Sequence, residues 1–599
     1  MQDLHFKTLQ QAYSTGALNV RDLIFNLRQS ILNKKDNPIW LYVLSTEELE
    51  AYIARLESSA IEDFPLYGVP FAIKDNIDLA GVPTTAACEA WRYVPEQSAK
   101  VVDLLIQAGA VPLGKTNMDQ FATGLVGVRS PWGAVKNVFN EKIISGGSSS
   151  GSALAVALGQ VSFALGTDTA GSGRVPAVLN GITGLKPSRG LLSSQGLVPA
   201  CKSLDCISIF SLNVEDANSV FDIVACEDPS DPYSRPNIYE NGKRYFKPHS
   251  HFRFGVPKME QLQWFGAEKN ADLFNAAVDA CVSAGGEALE IDLAPFIEAA
   301  SLLYEGPWVA ERYHATQSLY EKDPAAMLPV IQNIIGNGNK ASAVDCFAAQ
   351  YRLAELKKLA DAELKNVDCI LTPTIARDYT IAEVDADPVT LNSNLGFYCN
   401  FMNLLDYCGI ALSSGKFNSG AGFGITLFYH ALKDKKILSI AAGIQNQLSR
   451  PPGLYKHFVA NCSDATPPEE TIDLLVCGAH LDGLPLNWQL KERDAVLIQR
   501  TFTAKNYRLY ALEGGPPYRP GLIRVDTSGE AIEVEVWRMP CERFGSFVAE
   551  IPAPLGVGKV EIDDGSWVSG FICDGWGLKG AKDISEFGGW RNYLASLAK

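Results

Sequence analysis

The chain has 599 residues, too many for one compact core, and two to four domains are expected. Its 47% hydrophobic content is that of a globular protein, and a net charge of −16 disfavours nucleic acid and anionic membrane as partners, since both demand a basic surface. Thirteen cysteines stand singly, with no CxxC pair and no Cys/His cluster at metal-ligand spacing, so reduced buried thiols are expected and no metal or other cofactor.

The opening MQDLHFKTLQQAY has neither a basic start followed by an apolar run nor a small-residue cleavage site, and a cytoplasmic location is the expectation. From Asn19 to Leu32, apolar residues at Val20, Leu23, Ile24, Leu27 and Ile31 predict a helix behind an Asn cap. The apolar run YGVPFAI ends at Lys74, before the turn-forming Asp75 and Asn76, so a strand would deliver this lysine to the rim of a core. SAKVVDLLIQAGA predicts a helix capped by Ser98 and closed by Gly109, and AVPLGK a second strand ending at Lys115. Strand, helix and strand at this spacing read as an α/β unit.

From Ser145 to Thr167 no residue is charged, and the serine-rich start runs into ALAVALGQVSFALG, which must be buried. The stretch ends in a second Gly-Ser-Gly around Ser172, where flanking glycines permit a tight turn that frees a hydroxyl and nearby N–H groups to face a bound carbonyl. A serine nucleophile requires a base. None of the seven histidines lies between His5 and His249, so the other recurring solution comes forward, a lysine made neutral by burial and relayed through a second hydroxyl. Lys74 is the candidate and Lys115 its rival. Taken alone, Lys74 before Asp-Asn reads as a solvated residue and Ser148 as a turn residue.

The runs GVPFAIKDNID, GKTNMDQFATG, GGSSSGSALAVA, GTDTAGSGRVPA, GLKPSRG and LTPT, in this order between about Gly68 and Ala442, resemble the amidase signature family. The resemblance implies an α/β fold, a mixed β-sheet sandwiched by helices. It implies Lys74 as base, Ser148 as a bridging serine after a cis peptide bond, and Ser172 as nucleophile. Backbone N–H groups of Thr169, Ala170, Gly171 and Ser172 would form the oxyanion hole, and Lys115 would be structural. LSSGK departs from the pattern where a proline-containing turn is expected.

Later segments, FRFGVP, NADLFNAAVDACVSAGG, EALEIDLA and DCILTPTI, continue the alternation of strands and helices. RPPGLYKH and SDATPPEE read as an interdomain linker, with a catalytic domain over 1–455, the linker over 456–470 and a C-terminal domain over 471–599. In that domain LIRV, DTSGE and AIEVEVW predict a hairpin with Ile532, Val534 and Val536 on one face and Glu533 and Glu535 on the other. FGSFVAEI and SWVSGFI predict further strands, giving a smaller, β-rich α+β domain.

YEGPWVAERY and LLVCGAHLDGLPLN resemble the allophanate hydrolases within that family. This implies urea-1-carboxylate as substrate in urea degradation, a functional link to urea carboxylase, a homodimer, and a pocket lined by Gly124, Tyr304 and Arg312. A carboxylate substrate calls for a cation that can pair bidentately, which suits Arg312, and Tyr304 eight residues earlier would share its face of one helix. Without the motif, Arg312 reads as a surface partner of Glu311 or Glu305. The C-terminal domain would promote decarboxylation of the first product through His480, which otherwise reads as structural, on a fold resembling gamma-glutamyl cyclotransferase-like domains. The alternatives are an amidase for another small amide such as malonamide, a glutamine-dependent amidotransferase subunit, or a silent scaffold with a C-terminal binding module.

Overall fold

The computed structural model describes residues 2–34, 36–238, 241, 246, 248, 251–462, 471–493 and 495–597. The chain divides into two compact units, with residues up to 462 in the first and those from 471 in the second.

The first unit is built on a mixed sheet of eleven strands: β1 (Trp40–Val43), β2 (Pro70–Lys74), β3 (Val111–Thr116), β4 (Phe163–Asp168), β5 (Thr183–Lys186), β6 (Cys206–Ser211), β7 (Phe252–Pro257), β8 (Gly286–Ile291), β9 (Cys369–Pro373), β10 (Tyr407–Lys416) and β11 (Gly422–His430). Their order is β1-β3-β2-β4-β6-β5-β10-β11-β9-β7-β8. β2 runs parallel to both β3 and β4, as the strand-helix-strand reading requires, while β4, β6 and β5 are mutually antiparallel neighbours. Every residue of β2 to β6 is buried, so both faces of the sheet centre are covered, which is why these strands read as near-continuous apolar runs. Phe71 of β2 and Phe163 of β4 stack at 5.1 Å between centroids.

The Asn19 side chain accepts from the N–H of Asp22 and caps the helix Val20–Leu32 as its spacing predicts. Ser98 does not cap the next predicted helix. That helix runs Lys100–Gln107 behind Ala99, and Ser98 Oγ instead accepts from the Ala80 N–H at 3.1 Å. Gly109, just beyond its end, takes the positive φ of +96°. LSSGK holds no turn. It is the end of β10, and a register shift between Ser413 and Gly415 supplies the bend for which a proline was expected.

The expected linker over 456–470 is only partly described, since 463–470 lie outside the described residues. Residues before them belong to the first unit: Asn461 is buried, its Nδ2 2.9 Å from Gln445 Oε1, and the Cys462 N–H donates to Glu215.

The second unit carries β12 (Thr471–Val476), β13 (Val496–Phe502), β14 (Tyr507–Ala511), β15 (Pro520–Arg524), β16 (Glu533–Pro540), β17 (Leu555–Glu561), β18 (Trp567–Cys573) and β19 (Lys582–Asp583). They form two sheets, β13-β16-β12-β18-β17 and β15-β14-β19. The predicted hairpin is not formed: β15 pairs with β14 while β16 inserts between β13 and β12. Ile532, Val534 and Val536 are buried as expected, but so is Glu535, which accepts from the Asp482 N–H, Arg500, Trp537 and Arg591. FGSFVAEI is not a strand. Cys541–Ala549 is helical, starting after Pro540 with Glu542 in its first turn, and Phe544 and Phe547 face the core at a spacing of three. Among the described residues no helix is long and apolar enough to cross a membrane.

Candidate active site

The serine-rich stretch becomes a buried loop followed by the buried helix Ser150–Ala157, and the Gly147–Ser148 peptide bond is cis. Asp119, absent from the sequence argument, organises this loop. Its carboxylate accepts from the N–H groups of Val126, Gly127 and Arg129, and its own N–H donates to Ser148 O. A Cβ on Gly147 would stand 2.0 Å from Asp119 Oδ2, so only glycine fits there. Ser149 Oγ both donates to Thr167 O and accepts from Thr167 N–H, tying the loop to β4.

Lys74, the last residue of β2, points into this arrangement. Its Nζ donates to Ser148 Oγ at 2.8 Å and to Thr167 Oγ1 at 2.6 Å, and the side chain is fully buried. Burial, opposed by the carboxylates of Asp119, Asp205 and Asp168 and helped by Arg312, brings the Lys74 ammonium down to about 7. Near neutrality the group is therefore divided between amine and ammonium, as a proton acceptor has to be. Lys115, the rival, is buried beside Asp75 at 3.6 Å and donates to Thr84 Oγ1 at 2.9 Å. That ion pair is a structural tie across two strand ends.

Ser172 lies in the turn after β4. The turn folds over the Asp168 carboxylate, which accepts from the N–H groups of Gly171 at 2.7 Å and Gly173 at 3.1 Å and from Arg174 at 2.8 and 3.0 Å. Asp168 and Arg174 are both fully buried, and Gly171 takes φ +127° to make the turn. Ser172 Oγ stands 3.5 Å from Gly124 O. The N–H groups of Thr169, Ala170 and Ser172 meet no acceptor among the described residues and are free to receive an oxyanion. Gly171 differs from its expected role, because its N–H is held by Asp168. Thr169 is further fixed by its hydroxyl, which donates to the half-buried Asp205. No histidine bonds to Ser172 among the described residues: His5 and His457 bond Asp3, and His430 faces Asp361.

Arg312 is not a surface residue. It is 3% exposed, its NH1 donates to Thr123 Oγ1 at 2.9 Å and to Ala122 O at 3.4 Å, and it forms no ion pair among the described residues. Glu311, its supposed partner, accepts instead from the N–H and hydroxyl of Ser203. Burial works against the guanidinium charge, yet the nearby Cys201, Tyr304, Asp205 and Glu311 hold its pKa above the ordinary value. Tyr304 and Arg312 do not share a helix. Tyr304 ends Ala294–Glu305 and Arg312 belongs to Val309–Lys322, the break falling at Gly306 and Pro307. The two still meet, with Arg312 Cζ 5.7 Å from the Tyr304 ring centroid. Gly124 follows Thr123 on the same loop at φ +155°, and a Cβ there would meet Asp119 Oδ2 at 2.8 Å and Arg129 Cδ at 3.0 Å. Thus Arg312, through Thr123, and Ser172, through Gly124, touch adjacent residues of one loop.

Within the second unit His480 lines a cavity of about 210 Å³. Its ring stacks on Phe571 at 5.0 Å, meets Phe547 edge-on at 5.3 Å, and places Nε2 2.8 Å from Gln489 Oε1. Burial lowers its pKa from the ordinary histidine value.

A buried lysine bonded to one serine, and a second buried serine beside free backbone donors, are the parts an amide-hydrolysing site needs, although no hydrogen bond joins Ser148 to Ser172 among the described residues, and comparison with known proteins gives the class. The amidase family profile matches residues 28–438, more than half the chain, and the chain belongs to the amidase family, whose mixed-sheet fold its first unit has. A second profile, described as the allophanate hydrolase C-terminal domain, matches residues 472–595. Among solved structures, Kluyveromyces lactis allophanate hydrolase is 40% identical, covers 96% of each chain and superposes with a TM-score of 0.77. Two urea amidolyases are also similar. That of Saccharomyces cerevisiae is 44% identical over 94% of this chain and 31% of its own length, and that of Lachancea kluyveri 41% identical over 99% and 33%. The chain spans about a third of the length of these two relatives.

Proposed function

We propose that the chain hydrolyses allophanate in urea degradation, and the observation that carries this reading is a buried arginine, without a carboxylate partner among the described residues, beside the Lys74–Ser148–Ser172 site. An anionic amide would supply the missing partner. Arg312 and Tyr304 hold the substrate carboxylate while Ser172 Oγ attacks the terminal amide carbonyl. The Ser172 proton passes through Ser148 to neutral Lys74, and the developing oxyanion is received by the N–H groups of Thr169, Ala170 and Ser172. The relay returns the proton to the departing ammonia, and water, deprotonated by the same path, releases the product. Atoms balance as allophanate plus water giving ammonium and the dicarboxylated amine, ⁻O₂C–NH–CO₂⁻.

The second unit then promotes loss of carbon dioxide from this product at His480, giving overall two ammonia and two carbon dioxide. A functional link to urea carboxylase, a homodimer and a cytoplasmic site of action belong to the same reading. A neutral amide such as malonamide offers the Arg312 guanidinium no carboxylate to pair with, which disfavours that alternative. The test is ammonia release from allophanate and from malonamide by wild type and Ser172→Ala. Release from allophanate by wild type, reduced at least ~10³-fold in the variant, supports the reading. Preference for malonamide, or a variant as active as wild type, overturns it.

A further inference from the structure

The cavity of the second unit is walled by apolar groups, among them Phe547, Phe571, Leu555, Ile551 and Pro520, and it also contains His480, Gln489, Glu550 and Arg519. Three of these polar groups are joined in a chain. Arg493 NH2 donates to Glu550 Oε1 at 2.7 Å, Gln489 Nε2 donates to Glu550 Oε2 at 3.4 Å, and Gln489 Oε1 faces His480 Nε2 at 2.8 Å. Because the Gln489 amide nitrogen is directed at a carboxylate, its oxygen must be the atom facing the imidazole, and the neutral ring carries its proton on Nε2. Nδ1 keeps its lone pair, the one side-chain hydrogen bond of the ring among the described residues being that of Nε2.

Arg519 stands apart from this chain. Elsewhere in the unit Arg493, Arg500, Arg524 and Arg591 each hold a carboxylate. Arg519, a half-buried residue of the cavity lining, holds none with its side chain among the described residues, and the one carboxylate residue of that lining, Glu550, is already paired with Arg493. A guanidinium at an apolar cavity is matched by a small carboxylate.

We infer that Arg519 anchors one carboxylate of a small dicarboxylate in this cavity, and that His480, fixed as the Nε2–H tautomer by Gln489, works on the anchored molecule through Nδ1. The inference rests on the second step proposed above and names how the dicarboxylated amine is held there. With one carboxylate on Arg519, the other lies against the apolar wall, where loss of its charge as carbon dioxide is favoured. The C–N bond to that carboxyl carbon breaks and its electron pair goes to nitrogen. Nitrogen takes a proton from bulk water relayed through Nδ1, so that ⁻O₂C–NH–CO₂⁻ and a proton give carbon dioxide and H₂N–CO₂⁻. Burial makes the transient imidazolium a stronger acid than free histidine, which suits it to this delivery.

Malonate, with a methylene in place of the nitrogen, is the probe. The full-length protein carrying ¹³C,¹⁵N-histidine is titrated with malonate, and the His480 signal is identified by its loss in His480→Gln. In wild type the signal shifts saturably and its ¹⁵N pattern is that of the Nε2–H tautomer. In Arg519→Gln, malonate affinity at this signal falls at least ~10-fold, Arg519→Lys recovers part of it, and decay of the carboxylated intermediate slows at least ~10-fold relative to the first ammonia release. An unshifted His480 signal, an Nδ1–H tautomer, or equal affinity in wild type and Arg519→Gln overturns the inference. Failure of the underlying reading is seen separately: if His480→Ala leaves decay of the intermediate unchanged, the unit has no part in the second step and the inference falls with it. If His480→Ala slows decay and Arg519→Gln does not, the anchor alone is wrong.

Discussion

Replacing Lys74 by methionine should stabilise the fold at low pH and progressively less at high pH. In the wild type, burial first of all, against the pull of Asp119, Asp205 and Asp168, sets the lysine at about 7 instead of 10.5. A lysine whose folded-state pKa lies below its unfolded value is protonated in the unfolded chain and not in the folded one between those two values. The unfolded state therefore binds more protons there, and stability rises with pH from about 7 to 10.5, the burden being largest below 7. At 1.36 kcal/mol per unit, the burden is ~5 kcal/mol at pH 6 and ~2 kcal/mol at pH 9. Lys74→Met lacks it, and its other losses, the bonds to Ser148 and Thr167, do not titrate in this range. The stability difference between variant and wild type should therefore shrink by ~3 kcal/mol from pH 6 to pH 9. An unfolding entropy of ~2 cal/mol/K per residue over the first unit makes this a change of ~3 °C in the gap between melting temperatures. Calorimetric scans of both proteins across pH read it directly. Wild-type activity should fall ~10-fold per pH unit below about 7, while the variant is inactive throughout. A melting gap constant from pH 6 to 9, with activity flat down to pH 5, would refute the neutral lysine.

Arg312→Lys keeps the charge but loses the planar fork and the bond to Thr123, so kcat/KM for allophanate should drop ~10²-fold while turnover of an uncharged amide drops less. Steady-state kinetics on both substrates decide it, and equal losses would make Arg312 a structural residue. Asp168→Asn leaves the Arg174 charge buried without its counter-ion and should cost ~3–5 kcal/mol, seen as a lower melting temperature together with lost activity as the Ser172 turn loosens. A variant as stable as wild type would mean that the pair contributes little to the turn.

Lys74 and Ser172 stood out locally as a lysine ending an apolar run and a serine between glycines, whereas Ser148 was singled out only by the family resemblance, and the structure places all three in buried positions with Lys74 bonded to Ser148. The residues that hold them did not stand out. Asp119 gathers the N–H groups of Val126, Gly127 and Arg129, and Asp168 does the same for Gly171 and Gly173. Neither partner set has a period or spacing that a linear reading detects, although both carboxylates lie within runs already singled out. Gly171 was misassigned for the same reason, since only the folded turn shows that its N–H belongs to Asp168. The position of Arg312 likewise depends on Thr123, far away in sequence. The Gly306-Pro307 break between Tyr304 and Arg312 was readable, and the two residues meet across it, with Arg312 Cζ 5.7 Å from the Tyr304 ring centroid.

The second unit shows the opposite balance. Its apolar faces were partly legible, but strand partners were not, because pairing is a non-local choice: DTSGE could close a hairpin, yet β16 finds better burial between β13 and β12. Phe544 and Phe547 fit a helical period as well as a strand's apolar content, and Pro540 tips the segment to a helix by ending β16. The same non-locality builds the cavity. His480 follows β12, Gln489 sits in a short helix, Phe547 and Glu550 come from the segment taken for a strand, and Arg519 precedes β15. Reading FGSFVAEI as helix brings Phe547 and Glu550 together at a spacing of three on one side of the element. Glu550 can then orient Gln489, and through it His480, while Phe547 supports the ring edge-on. The identity of that one element therefore decides whether His480 is a free ring beside a strand or a histidine with a fixed tautomer.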